Sequence, residues 1–116
     1  MKTDFTVDIL ARAMSMRLKR HGAIAGNIAN AETPGYRPQQ VAFEDQLQEV
    51  VKSGSTDRLH NMHAKVLTVD DVTPRQDGNS VDLDRQMAGL AENSLMYNAA
   101  AEFLARKMRM IKSVIS

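Results

Sequence analysis

The C-terminal part of the chain repeats apolar residues alternately four and three positions apart, without a break. Only Ser94 is polar in this C-terminal seam, whose members are Leu83, Met87, Leu90, Ser94, Tyr97, Ala101, Leu104, Met108, Ile111 and Ile115. Such spacing keeps every member on one face of an α-helix, where it can pack along a second helix. It predicts a continuous helix over residues 81–116. Its periodic part would be roughly 45 Å long at about 1.5 Å per residue, which is more than a small globular domain needs.

The same spacing occurs near the N-terminus and predicts a helix over residues 4–32. The members of this N-terminal seam are Val7, Ala11, Met14, Leu18, His21, Ala25 and Ile28. Two such seams predict a mainly α fold, in which the N- and C-terminal helices form an antiparallel coiled-coil-like hairpin. Pairing with helices of neighbouring subunits satisfies the same pattern, so periodicity alone leaves both arrangements open.

The first helix is predicted to end within residues 27–36, Asn-Ile-Ala-Asn-Ala-Glu-Thr-Pro-Gly-Tyr. Pro34 disfavours the helical conformation for Thr33, and Gly35 accepts the positive φ of a tight turn. Tyr36 then leaves the turn, and we expect its ring to pack on an apolar neighbour.

Two asparagines lie on the last turn of this helix. The amides of Asn27 and Asn30 can bond carbonyls freed at the helix end, or a neighbouring chain, while Ile28 stays on the apolar face. An ordinary helix C-cap is the simplest interpretation of the segment.

The middle of the chain, residues 33–80, is polar and interrupted by proline and glycine, and is predicted to be loop-rich with room for a short helix or a hairpin. Within it, Phe43, Leu47, Val50 and Val51 have the spacing of a short amphipathic helix over residues 42–51. Residues 65–69, Lys-Val-Leu-Thr-Val, can form a strand if a partner strand exists.

Asp77, Gly78 and Asn79 predict a turn ahead of the C-terminal helix, and either Asp82 or Asp84 can cap that helix by accepting from its free amides. The acidic spacing invites a calcium-loop interpretation. An EF-hand starting at Asp77 requires Gly at its sixth position and Glu at its twelfth, and the sequence has neither.

Composition argues against several function classes. The net charge of +1, from 15 basic and 14 acidic residues, gives no overall field that attracts nucleic acid. Because there is no Cys, disulfides and thiolate metal sites are excluded. His60 and His63 lack a third ligand nearby, and His21 on the N-terminal seam is more simply a packed residue. We expect no cofactor, no metal, no nucleic acid and no small-molecule substrate.

The sequence also has no pattern typical of a secretion signal or a membrane span. The first residues contain acids where a signal peptide has its apolar core, and no run of about 18 apolar residues occurs. We therefore expect neither a cleaved secretion signal nor a membrane span. If the protein is exported, the export machinery must recognise a signal other than a cleaved signal peptide.

In these motifs the chain resembles bacterial flagellar basal-body rod proteins of the proximal rod type. Residues 27–36 match the motif shared by the axial proteins of rod and hook. Residues 77–84, followed by residues 87–97, Met-Ala-Gly-Leu-Ala-Glu-Asn-Ser-Leu-Met-Tyr, resemble the C-terminal signature of a proximal rod protein. The resemblance does not extend to the middle, residues 46–76.

The resemblance implies a structural, non-enzymatic subunit that is exported unfolded through the flagellar type III apparatus and assembles helically into the drive shaft. It implies a place in the periplasmic part of the basal body. The implied partners are further copies of the chain, other rod proteins, the small adaptor at the rod base with the inner-membrane ring, and the export gate. Because a monomer this small cannot cover both seams, the C-terminal seam is predicted to be the assembly surface.

Two other function classes fit parts of the sequence. A soluble helical adaptor or export chaperone shares the heptads, but it should form a discrete dimer in solution. A small enzyme or metal protein needs a converging polar pocket, which the sequence does not offer. Sedimentation measured over a range of protein concentrations distinguishes an adaptor or chaperone from a subunit that polymerises.

Overall fold

The computed structural model describes residues 2–68 and 82–115. In chain order its elements are α1 (Lys2–Ala29), β1 (Gln39–Ala42), α2 (Glu44–Ser53), α3 (Thr56–His60), β2 (Lys65–Thr68) and α4 (Leu83–Ile115). The molecule is elongated, measuring 61 × 24 × 15 Å. Its length is set by α4, which has 33 residues.

The two long helices run antiparallel. Side-chain hydrogen bonds join Arg17 of α1 to Asn93 of α4, and Asn27 of α1 to Gln86 of α4. Residue numbers therefore rise along α1 as they fall along the facing part of α4. This confirms the predicted mainly α hairpin.

The helix ends agree with the sequence at α4 and differ at α1. Asp82 accepts a hydrogen bond from the Arg85 backbone N–H at 3.2 Å, so it is the residue that caps α4. Helix α1 ends at Ala29, three residues before the predicted boundary at 32, because the chain tightens into turns ahead of Pro34.

The middle of the chain is more ordered than a loop. The short amphipathic helix is present as α2, two residues further along than predicted. Strand β2 pairs with β1 in an antiparallel register, Gln39 opposite Thr68 and Ala42 opposite Lys65. The two strands are separated along the chain by α2 and α3, so they do not form the simple hairpin that the sequence allowed.

A cluster of buried apolar side chains joins this middle segment to α1. The buried apolar side chains of the cluster are Met16, Val41, Phe43, Val50, Leu59 and Met62. Phe43 and Leu59 are 2% and 1% exposed, and burial of a side chain of this size contributes about 1.5–3 kcal/mol. Arg12 of α1 donates to the Leu59 and His60 carbonyls, which ties the end of α3 to the same helix.

The N-terminal seam is only partly covered within the subunit, where Val7, Met14 and Ile28 are half-buried. Its spacing had left open whether it packs within the subunit or on a neighbour. Leu18 is 57% exposed, and Ala11, His21 and Ala25 are also exposed. Among the described side chains of α1, those of Met16 and Asn27 are buried. Because α1 packs against α4 on one side and the middle segment on another, its buried arc is rotated away from the face that an isolated helix pair would bury.

Candidate functional site

The helix exit predicted at residues 27–36 is a turn held by its own side chains. Asn30 donates through Nδ2 at 2.8 Å to the Gly26 carbonyl in the last turn of α1, which also accepts from the Asn30 backbone N–H at 3.1 Å. Thr33 donates to Asn30 Oδ1 at 3.2 Å. Gly35 has φ 77°, as predicted, and that conformation is unfavourable for residues with a Cβ.

Asn27 is the centre of the site. It is 1% exposed, and its amide uses all of its hydrogen-bonding capacity. Nδ2 donates to the Gln39 carbonyl at 2.9 Å and to Gln86 Oε1 at 3.0 Å. Oδ1 accepts from the Gln39 backbone N–H at 2.9 Å and from the Tyr36 hydroxyl at 3.0 Å. One side chain therefore joins α1, the turn, β1 and α4.

Sequence reasoning found this residue but not its partners. The side chain of Asn30 bonds a carbonyl at the helix end, but that carbonyl also keeps a backbone partner, whereas Asn27 bonds a strand and a second helix. Tyr36 is half-buried and its hydroxyl bonds Asn27. Pro34 and Thr33 are exposed in the turn, and Ile28 is half-buried on α1.

A second residue of α1 binds the same edge of β1. Arg20 donates from Nε and Nη2 to the Val41 carbonyl, at 3.2 and 2.6 Å. Its two terminal nitrogens also hold both carboxylate oxygens of Glu44, which lowers the pKa of Glu44 to about 2 through these hydrogen bonds, against an opposing effect of burial. The guanidinium carbon lies 4.5 Å from the centre of the Phe43 ring. Arg20 and Asn27 together cover the strand edge that faces α1.

Asn93 is the contact that sequence reasoning missed. It is 2% exposed in the middle of α4, donates to the Arg17 carbonyl at 2.8 Å and accepts from the Arg17 guanidinium at 3.3 Å. Burial, and then the charge of nearby Arg20, lower the pKa of Arg17. The position of Asn93 next to the C-terminal seam was a signal that it could be buried. Its partner, Arg17, lies 76 positions away and could not be identified from the sequence.

The C-terminal seam divides into two groups in the structure. Leu90, Ser94, Tyr97, Ala101, Leu104 and Ile111 are half-buried. Leu83, Met87, Met108 and Ile115 are exposed, at 40%, 54%, 55% and 79%. The subunit thus covers part of the seam and leaves both ends open.

The remaining predicted positions lie near the start of α4. Asp84 is exposed in its first turn, and Asp82 is the cap. Asp77, Gly78 and Asn79 lie outside the described residues.

Between residues 2–68 and 82–115, no three His, Asp or Glu side chains come close enough together to hold a metal ion. In the groove between α1, β1 and α4, the carboxylate of Glu44 is engaged by Arg20. No helix in the described part combines the length and hydropathy of a membrane span. The arrangement supports packing between helices.

Comparison with known proteins places this arrangement in a family. No profile of a protein family matches the chain. It is 30% identical to the flagellar basal body rod protein FlgB of Bacillus subtilis (strain 168) over 120 residues, covering 96% of this chain and 93% of that protein. It is 29% identical to FlgB of Yersinia ruckeri and 28% identical to FlgB of Escherichia coli (strain K12), in each case over 98% of this chain and at least 95% of the relative. The near-complete coverage disfavours an unrelated helical adaptor, and the chain belongs to the FlgB family of flagellar basal body rod proteins.

Proposed function

We propose that the chain is a structural subunit of the proximal rod, which assembles helically into the shaft that transmits motor torque. The observation that carries this proposal is the similarity to FlgB proteins over nearly the whole chain. Membership of a rod family implies assembly with other rod and basal-body proteins. The role is structural rather than catalytic, which agrees with a site built from packing contacts.

The finer proposals follow from the same role. The partners are further copies of the chain, other rod proteins, the small adaptor at the rod base with the inner-membrane ring, and the export gate during secretion. The working location is the periplasmic part of the basal body, reached by flagellar export. A small core and the absence of Cys suit a chain that is exported unfolded. Binding to neighbours then adds stability by mass action.

The assembly surface of this proposal is the part of the C-terminal seam that the subunit leaves open. Met108 and Ile115 are 55% and 79% exposed, and Val114 beside them is 84% exposed. Apolar residues concentrated at one end of a helix mark a contact with another protein. The half-buried members of the seam, such as Leu104, instead position α4 within the subunit.

The double variant Met108→Asp, Ile115→Asp tests this function. Both positions are exposed, so the charges should change the stability of the isolated subunit little, whereas they would lie unpaired in a dry contact between subunits. We expect normal helix content by circular dichroism, normal secretion, and loss of rods and motility in cells that have no other copy. The control is Asn98→Asp, which adds a charge at an exposed position of the same helix. Normal swimming of the double variant would contradict the proposed assembly surface.

The runner-up function, a soluble adaptor or export chaperone, gives a different result in solution. Sedimentation of the purified chain against concentration should show association that continues beyond a dimer. A discrete dimer at every concentration would favour the adaptor.

A further inference from the structure

Helix α4 carries a second apolar stripe that does not belong to the C-terminal seam. Met96, Phe103 and Met110 recur every seven residues and are 45%, 59% and 56% exposed. Each one precedes a half-buried member of the seam, so the stripe is rotated about 100° around the helix from the face that meets α1. We name these three residues the α4 ridge. Large apolar side chains in a row on an outer face indicate a contact that the isolated subunit does not make.

Helix α1 has an outer face of the opposite character. Five of its exposed residues have small side chains, namely Ala11, Ser15, Gly22, Ala25 and Ala29. Together with the larger Leu18, which is also exposed, they are spaced alternately four and three positions apart. The outer face of a helix in water is normally covered by long charged side chains. We name the five small residues the α1 small-residue face. Small side chains on this face let another helix approach α1 closely on either side of Leu18.

Gly22 is a separate reason to expect that a helix of another molecule packs closely against this face of α1. It lies in the middle of α1 with no positive φ, and no other part of the described chain comes within 4 Å of the position that a Cβ would occupy. Apart from proline, glycine is the least favourable residue in a helix interior. Nothing in the described subunit therefore requires glycine at this position, whereas a helix packing closely against this face would.

We propose that the α4 ridge of one copy packs into the α1 small-residue face of the next copy. This inference rests on the proposed rod function and specifies two surfaces of its self-assembly. Because the two surfaces are different, the contact is head-to-tail, and its repetition generates a helical array or a ring rather than a closed two-fold dimer.

The charges beside the two surfaces select the direction of the crossing. Along α4, exposed Glu92 lies before the ridge, and exposed Arg106 lies in its second half. Along α1, exposed Asp8 comes first and exposed Lys19 follows. An antiparallel crossing brings Glu92 towards Lys19 and Arg106 towards Asp8, whereas a parallel crossing brings like charges together.

Disulfide crosslinking between two single-cysteine variants tests the contact, since the natural chain has no Cys. In the antiparallel crossing Phe103 lies opposite Ala11, since Arg106 and Asp8 are each three residues away from them. Cells without their own copy would produce Phe103→Cys and Ala11→Cys subunits together, with different tags, and their rods would be purified and oxidised. A disulfide that joins the two tags can form only between copies. The control pair is Asn98→Cys with Ala11→Cys, because Asn98 is exposed on another face of α4.

We expect about tenfold more mixed dimer from the Phe103 pair than from the Asn98 pair, since a disulfide requires Cα atoms within about 7 Å. Rods that assemble but give no excess of mixed dimer would overturn the proposed contact and leave the rod function intact. Crosslinks of Phe103→Cys to itself alone, or to a rod protein of another mass, would also overturn it. If cells with the natural chain as their only copy build no rod, the proposed function itself fails.

A second measurement uses Gly22 without a crosslink. Gly22→Gln should raise the stability of α1 in the isolated subunit, because Gln is the better helix former. It should nevertheless block rod assembly, because the longer side chain prevents a neighbouring helix from packing closely on the α1 small-residue face. The control Ala91→Gln adds the same side chain at an exposed position of α4 away from the ridge. Assembly of Gly22→Gln subunits at the level of this control would contradict the proposed contact.

Discussion

Asn93 is held at both ends of its amide by a single residue of the facing helix. Its Nδ2 donates to the Arg17 carbonyl at 2.8 Å, while its Oδ1 accepts from the Arg17 guanidinium at 3.3 Å. Only one register of α4 on α1 places these two residues opposite each other. A buried asparagine among apolar positions therefore defines the register of the helix pair as well as contributing to its stability.

Asn93→Ala should destabilise the subunit by about 1–3 kcal/mol, because the half-buried Arg17 guanidinium loses an acceptor and the Asn93 site becomes a small cavity. Urea unfolding monitored by circular dichroism measures the change. Asn98→Ala, at an exposed position of the same helix, should change the free energy of unfolding by less than about 0.5 kcal/mol. Equal effects of the two substitutions would show that the Arg17 contact contributes nothing.

The second prediction concerns Asn27. Asn27→Asp keeps the shape of the side chain but replaces both amide donors with an acceptor, so the Gln39 carbonyl and Gln86 Oε1 would each face a carboxylate oxygen. We expect a loss of about 3 kcal/mol at neutral pH, since the site is buried. Asn30→Asp is the matched control, because its amide donates to one carbonyl at the helix end and should lose about 1 kcal/mol. A smaller loss for Asn27→Asp than for the control would contradict the central role of Asn27.

The third prediction concerns the turn. Gly35→Val should cost on the order of 1–3 kcal/mol through the backbone, since φ 77° is strained for a β-branched residue. No other described part of the chain lies within 4 Å of its Cβ position, so crowding does not contribute. Gly35→Asn should recover most of the stability, because Asn tolerates the left-handed region. If Val and Asn have the same effect in thermal unfolding, backbone strain is not the cause.

The parts of the fold that were predictable from the sequence are those fixed by local signals. The continuous C-terminal helix, its Asp82 cap and the left-handed Gly35 depend on neighbours within a few residues. The same holds for α2, whose apolar spacing was sufficient to place it within two residues.

The remaining features depend on residues far apart in the chain. The spacing of the N-terminal seam did not show which residues of α1 are buried, because α1 has two packing partners and Met16 faces the second. That second partner was not visible in the sequence, since its core combines single residues from short elements, such as Phe43 and Leu59. Asn27 was found from its motif, but its bond to Gln86 spans 59 positions and no local pattern indicates it.

The last prediction follows from the ion pair between Arg20 and Glu44. The hydrogen bonds from Arg20 lower the pKa of Glu44 from 4.5 to about 2 in the folded chain. As the pH falls below about 4.5, the unfolded chain binds a proton at this carboxylate before the folded chain does, so the unfolded state is favoured. The stabilisation is therefore complete above about pH 4.5, decreases between about pH 4.5 and pH 2, and is absent below about pH 2. Because the Glu44 side chain is 51% exposed, solvent screening limits it to about 1 kcal/mol.

Glu44→Gln should remove this contribution and should flatten the dependence of unfolding free energy on pH across the same interval. Urea unfolding at several pH values from neutral to acid measures the slope. Asp45→Asn is the control, since it removes an exposed carboxylate from the same turn of α2 and leaves the bidentate contact between Arg20 and Glu44 in place. The stability of Glu44→Gln should therefore approach that of the natural chain as the pH falls, because protonation removes the same charge from Glu44. A constant difference between the two proteins down to pH 2 would mean that the carboxylate acts through packing rather than through its charge.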